Sequence, residues 1–177
     1  MRSLAAILYH ISGESTNTTP TVGFNVETVK IGKLTLNIWV RNKIHTYNIF
    51  LCSREKTTSL IRQDVGGQDR LRPYWIHYYT GTRGIVYVVD SSDRARIPKA
   101  REEFAKVLGD EQLAEASILL IANKQDMPGA LSKDEMKRAF EIEKLAGERH
   151  WEVFPTVAKD GTGLVDSFRW LADSMEK

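Results

Sequence analysis

Four short segments carry residue types that suit chemistry on a nucleotide. Asn123-Lys124-Gln125-Asp126 directly follows an apolar run at 117–122. Such a run reads as a buried parallel strand, and open parallel sheets bind ligands at the carboxyl ends of their strands. An aspartate there can accept two hydrogen bonds from a guanine edge, the asparagine can tie neighbouring loops, and the lysine stem can cover the ring. Asp64-Val65-Gly66-Gly67-Gln68 is the second segment. Asp64 can hold a magnesium-bound water, Gly67 leaves its N–H free to approach a terminal phosphate, and Gln68 can orient an attacking water. In Thr19-Pro20-Thr21-Val22-Gly23-Phe24, the Thr21 hydroxyl precedes a strand and can complete magnesium coordination. Val157-Ala158-Lys159 follows a third strand, where a backbone N–H can meet a guanine carbonyl oxygen. Each segment alone also fits a plain polar or glycine turn. Their order and context make chance a poor explanation of the set.

Placing those loops on one edge needs alternating strands and helices. Residues 84–90 (GIVYVVD), 117–122 (SILLIA) and 151–155 (WEVFP) predict three strands. Ile97, Arg101, Phe104 and Leu108 mark a helix between the first two, and Ser132 with Glu135 forms a capping box ahead of another. Leu164, Phe168, Leu171 and Met175 share one face of a closing helix. This alternation implies a parallel sheet covered on both faces. In the first half, 24–31 and 34–39 predict two strands joined by a two-residue hairpin at Gly32-Lys33, and 5–11 has room for one or two helical turns.

Composition narrows the class. The 177 residues suit one domain with a sizeable core, and 42% apolar and 27% charged residues are ordinary for a globular protein. A net charge of +2 is too small to argue for nucleic-acid binding. Cys52 is the single cysteine, so no intrachain disulfide is expected and a reducing compartment is. No apolar run approaches the roughly 20 residues a membrane span needs. Arg2 stands where N-myristoylation needs glycine, and the Asn17-Thr18-Thr19 sequon reads as chance without a signal peptide.

Taken together, the four segments resemble the G2, G3, G4 and G5 boxes of small GTPases. Finer detail resembles the ADP-ribosylation factor (Arf) and Arf-like branch: TVGFNVETV at 21–29, DVGGQDRLRPYWIHY at 64–78, VVDSSDR at 88–94 and ANKQDMP at 122–128. The resemblance implies a P-loop NTPase-like three-layer α/β sandwich with a mostly parallel sheet, here a single domain over 1–177. It implies GTP or GDP and Mg2+ as cofactors, with Thr21 and Asp64 on the magnesium. Gly67 would contact the γ-phosphate and Gln68 would place the hydrolytic water. Asn123, Lys124, Gln125 and Asp126 would hold guanine, supported by Ala158 and Lys159. Exchange factors, GTPase-activating proteins and effectors are the implied partners, docking on Phe24, Trp39 and Tyr78, although those aromatics equally suit core packing. The family implies a switch in vesicle traffic on Golgi or other endomembranes, from a cytoplasmic protein. A nucleotide-independent effector-binding module and a non-functional gene-model product are the alternatives.

The chain departs from the family's pattern in two places. The family's phosphate loop, Gly-x4-Gly-Lys-[Ser/Thr] between a strand and a helix, has no match: the one Gly-Lys pair is Gly32-Lys33. Ile7-Leu8-Tyr9 matches the start of the helix after that loop, with Leu4, Ala5 and Ala6 where lysine and the hydroxyl residues belong. The first strand, most of the loop and the family's membrane-binding N-terminal helix are therefore expected to lie before Met1, and nucleotide binding is expected to be weak. Second, residues 40–63 separate Trp39 from Asp64, which adjoin in the family. This insert carries Arg41, Lys43, Arg54, Lys56 and Arg62 against Glu55, a net of +4, so the remainder of the chain is acidic. One reading makes it a translated, unspliced intron, because Val40-Arg41 can be encoded by a sequence opening GTAAG and Gln63 by CAG. The other makes Tyr47-Asn48-Ile49-Phe50-Leu51-Cys52 a strand that fills the sheet, with Ser53-Arg54-Glu55-Lys56-Thr57-Thr58 only echoing a phosphate loop. On the intron reading, the mature transcript lacks codons 40–63; a message that retains them sinks it.

Overall fold

Among the described residues, short β-branched and aromatic runs become six strands of one sheet, ordered as they occur in the chain. They are β1 (Asn25–Ile31), β2 (Leu34–Val40), β3 (Tyr47–Ser53), β4 (Gly84–Asp90), β5 (Ser117–Asn123) and β6 (Trp151–Thr156). The structure is a computed structural model that describes Ile7, His10, Tyr79, residues 81–176 and, for β1 to β3, the backbone. The hairpin expected at Gly32-Lys33 is bounded by the Ile31–Leu34 pair.

Four of the six strands point the same way. β4, β5 and β6 pair in parallel, whereas β2 pairs antiparallel with β3 and β3 antiparallel with β4, so β2 shares the direction of β4. β1 and β3 run against them. The slot between the hairpin and β4 is thus filled by β3, a strand drawn from the 40–63 insert, as the filler reading has it. Its direction follows from chain length. A parallel neighbour needs a crossover of about a dozen residues or more, and only residues 41–46 separate β2 from β3.

Helices cover both faces. α1 (Ile97–Leu108), α2 (Lys133–Phe140) and α3 (Ile142–Ala146) pack on one side, and α4 (Leu164–Ser174) on the other. Alternate residues of β4 serve the two layers. Ile85, Tyr87 and Val89 face Phe104, Met136 and Phe140, while Val86 and Val88 face Leu164, Phe168 and Leu171. Tyr87 stacks against Phe104 at 4.8 Å between ring centroids, and its hydroxyl donates to the Ala100 carbonyl at 2.9 Å. Ile7 is helical and fully buried in the α4 layer, where the first helical turns were expected to lie. Ser132 and Glu135 form the expected capping box on α2.

Two polar details shape the margins of this domain. Arg149 donates to the carbonyls of Ala146 (2.9 Å), Leu145 (2.7 Å), Leu108 (3.1 Å) and Leu113 (3.4 Å), satisfying the last turns of α1 and α3 at once. At the edge strand β6, His150 accepts from Ile118 and Thr156 accepts from Gln125, so Val153 and Pro155 turn their main chain outward. The Glu152 carboxylate accepts the Val153 N–H at 2.8 Å, and Lys133 holds that carboxylate at 3.1 Å.

Replacing Arg149 with methionine keeps the apolar stem but removes the donors to four carbonyls. Chemical denaturation should show a loss of about 2 kcal/mol, the scale of one charge-assisted hydrogen bond left unmade at a half-buried site.

Candidate functional site

The carboxyl ends of β4, β5 and β6 lie side by side, with Asp90 opposite Asn123 and Asn123 opposite Thr156. Asn123 is buried at this junction and joins all three strand ends. Its side-chain Oδ1 accepts the Ala158 N–H at 2.9 Å and the Thr156 hydroxyl at 3.3 Å. Its main-chain carbonyl accepts the Ser91 N–H at 3.0 Å and the Ser91 hydroxyl at 2.6 Å. An asparagine expected to tie loops together therefore does so with both of its oxygens.

Lys124 adopts a left-handed backbone, φ 67°, which a non-glycine residue holds at a cost of about 1 to 3 kcal/mol. Its ammonium pairs with the Asp90 carboxylate at the end of β4. Asp90 also accepts the Ser92 N–H at 3.1 Å and the Ser92 hydroxyl at 2.6 Å. Burial pushes the Asp90 carboxyl upward, but the hydrogen bonds from Lys124 and Ser92 outweigh it and leave the group below the ordinary aspartate value.

Asp126 stands apart from this network. It is exposed, and among the described residues its carboxylate takes no hydrogen bond or ion pair. Lys159, three residues beyond the end of β6, is exposed, and its carbonyl lies 3.4 Å from the His10 Nε2. Gln125 turns inward: its amide nitrogen lies 2.8 Å from the Ser91 hydroxyl, 2.9 Å from the Leu131 carbonyl and 3.3 Å from the Ala122 carbonyl. The Ala158 N–H is committed to Asn123, so that residue is tied to the loop after β5 through Asn123.

Of the residues singled out from sequence, Asn123, Lys124, Gln125, Asp126, Ala158 and Lys159 thus gather on one sheet edge. Thr21, Phe24, Asp64, Gly67, Gln68 and Tyr78 lie outside the described residues, as does the Trp39 side chain; Trp39 itself sits on β2, paired with Val26 and Ile49. Among the described residues no group of three or more His, Cys, Asp or Glu side chains is placed to hold a metal ion. Thr156 lies outside every segment singled out from sequence, and Asp90 and Ser91 stood within the VVDSSDR resemblance at 88–94, with no role assigned.

The direction of β3 fixes the edge at which it ends. Cys52 pairs with Gly84, the first residue of β4, whereas Tyr47 pairs with Val89. β3 therefore ends on the edge opposite Asp90, Asn123 and Thr156. Ser53, the last residue of β3, lies toward that far edge; residues 54–58, the remainder of the segment that echoes a phosphate loop, lie outside the described residues.

A model of the ADP-ribosylation factor family matches residues 44–175. The chain belongs to the ADP-ribosylation factor family. The Arl6 BBS3 small GTPase of Trypanosoma brucei, solved with a bound nucleotide analogue, GppNp, superposes with a TM-score of 0.70 at 25% identity. That alignment covers 98% of this chain and 91% of the trypanosome protein. The three-layer α/β sandwich and its mostly parallel sheet are those of this Arf-type small GTPase fold. Among the described residues no helix is long and apolar enough to cross a membrane.

The Asp90–Lys124 pair makes a pH prediction. A carboxylate whose folded value lies below its unfolded one adds stability above the unfolded value and loses it as pH falls through the folded one. Asp90→Asn should therefore be less stable than the unmutated chain at pH 7, and the gap should close below about pH 4. Thermal melts across that range test it, and a gap that persists undiminished in acid would count against the pair.

Proposed function

We propose that this Arf-family chain reads guanine through the loop after β5, with Asp126 as the residue that selects the base. The observation that carries the reading is the contrast within four consecutive residues. The Asn123 side-chain oxygen and the Gln125 side-chain nitrogen hold the loop, while the Asp126 carboxylate is exposed and free of protein partners among the described residues. A carboxylate held outward on a braced loop suits the paired N–H donors of a guanine edge. The Lys124 stem would lie against the ring while its ammonium stays on Asp90, and Lys159 would flank the base from the β6 side.

The remaining chemistry rests on residues outside the described part of the structure. By the family resemblance, Gly67 would meet the γ-phosphate and Gln68 would align the water that attacks it. Thr21 and Asp64 would hold Mg2+, which supplies charge neutralisation to the phosphates when bound. Exchange factors, activating proteins and effectors would meet the chain through Phe24, Trp39 and Tyr78, in vesicle traffic at the Golgi or another endomembrane. Residues 40–63 would be an addition to the family's single domain, which spans 1–177.

Phosphate binding by this chain is expected to be weak. The 177 residues hold no Gly-x4-Gly-Lys-[Ser/Thr] sequence, and such a loop supplies several main-chain donors and a lysine at once. Losing several charge-assisted hydrogen bonds, each about 1.5–3 kcal/mol, costs many orders of magnitude in affinity. The 177-residue polypeptide should therefore bind GTP and GDP in the micromolar range or weaker. It should still prefer guanine over adenine nucleotides, a preference that Asp126→Ala reduces by roughly tenfold or more. Isothermal titration with GDP and ADP reads both quantities. Submicromolar GTP affinity would overturn the first expectation, and an Asp126→Ala chain with unchanged base preference would overturn the second.

A further inference from the structure

We infer that Gln125 is a positioning residue for base selection, acting through the loop and not through contact with the nucleotide. This inference rests on the guanine reading of the same loop, and it assigns to Gln125 a role different from the base contact expected from sequence.

The argument begins with the identity of the acceptors around the amide. Two of the three, the Leu131 and Ala122 main-chain carbonyls, can only accept, so the side-chain nitrogen and not the oxygen must face them. The third, the Ser91 hydroxyl, gives its own proton to the Asn123 carbonyl and so accepts from Gln125. Ser91 is completely buried. Its main-chain carbonyl in turn accepts the Leu131 N–H at 2.8 Å. One carboxamide thereby links the end of β4, the end of β5 and the segment that leads into α2.

These links leave the loop little freedom. The Gln125 main-chain N–H donates to Thr156 at 3.1 Å, so the same residue also fixes the loop to β6. Farther along, Arg94 donates to the Gly129 carbonyl at 2.8 Å and braces the loop's outer end. Asp126 follows Gln125 directly, between the two braces. Its direction is therefore set by the turn whose inner end Gln125 anchors. A side chain without donors at 125 would leave the Leu131 carbonyl short of a partner and let Asp126 turn away from the base.

The test uses the full chain and compares GDP with IDP, whose base lacks the 2-amino group that the Asp126 carboxylate would read. Wild type should prefer GDP by roughly tenfold or more. Gln125→Met, similar in length but without donors, should bring the two affinities within about threefold of each other while near-native circular dichroism is kept. A variant that merely destabilised the fold would weaken both ligands alike and keep their ratio. Ser91→Ala removes the acceptor from the other side and should narrow the ratio in the same direction, which covers the case of a Gln125→Met chain that does not fold. A folded variant with the full GDP preference overturns the inference. If wild type binds neither nucleotide at millimolar concentration, the guanine reading fails, and amide hydrogen exchange then judges Gln125 separately. Gln125→Met should speed exchange at Leu131 by about tenfold or more and leave β4 and β5 unchanged; an unaltered Leu131 rate overturns the positioning role.

Discussion

The buried carboxamide and carbonyl of Asn123 are the constraint on which the rest of this edge depends. Parallel strands end with unpaired main-chain groups, and three such ends meet here around the buried Asn123. Asn123 satisfies four donors at that junction: the N–H and hydroxyl of Ser91, the N–H of Ala158 and the hydroxyl of Thr156. With the ends of β4, β5 and β6 locked in register, Lys124 can be held in a strained backbone and Asp126 can be presented outward. The strain is local, and the hydrogen bonds that oppose it come from residues distant in the chain.

The parts of this arrangement that were legible in sequence are those whose signal is local. The apolar runs at 84–90 and 117–122 became β4 and β5 within one residue of their expected ends, and the spacing of Leu164, Phe168, Leu171 and Met175 gave the buried face at the closing helix. Ser132 and Glu135 sit three residues apart, so their reciprocal bonds follow from helix geometry alone. Ser91 and Thr156 were opaque for the opposite reason. They are small polar residues at strand ends, and their value comes from contacts with Asn123 across 32 and 33 residues. Gln125 was read as a nucleotide contact because it sits inside a binding motif, yet motif membership does not say which way a side chain turns.

The insert shows how loop length governs topology. Nothing in the composition of Tyr47-Asn48-Ile49-Phe50-Leu51-Cys52 distinguishes a parallel from an antiparallel strand. The six residues that connect it to β2 do, since they allow a hairpin and forbid a crossover. The sheet therefore gains a strand that pairs on both sides but ends away from the edge that carries Asp90, Asn123 and Thr156. Filling a slot in a sheet and restoring the loop that belongs to that slot are separate requirements, and β3 meets the first.

The outer margin of β6 bears on how this molecule behaves in a crowded solution. An open sheet ordinarily offers its edge as a template, and a second strand can add there through regularly spaced N–H and carbonyl groups. Along β6 that spacing is interrupted twice in succession: the Val153 N–H is already bonded to Glu152, and Pro155 has none to give. Lys133 and Lys137 lie over the Phe154 and Trp151 rings and add charge along the same side. A colliding chain would meet a strand with two successive outward N–H positions occupied or missing, so β6 is a poor template for edge-to-edge growth into aggregates.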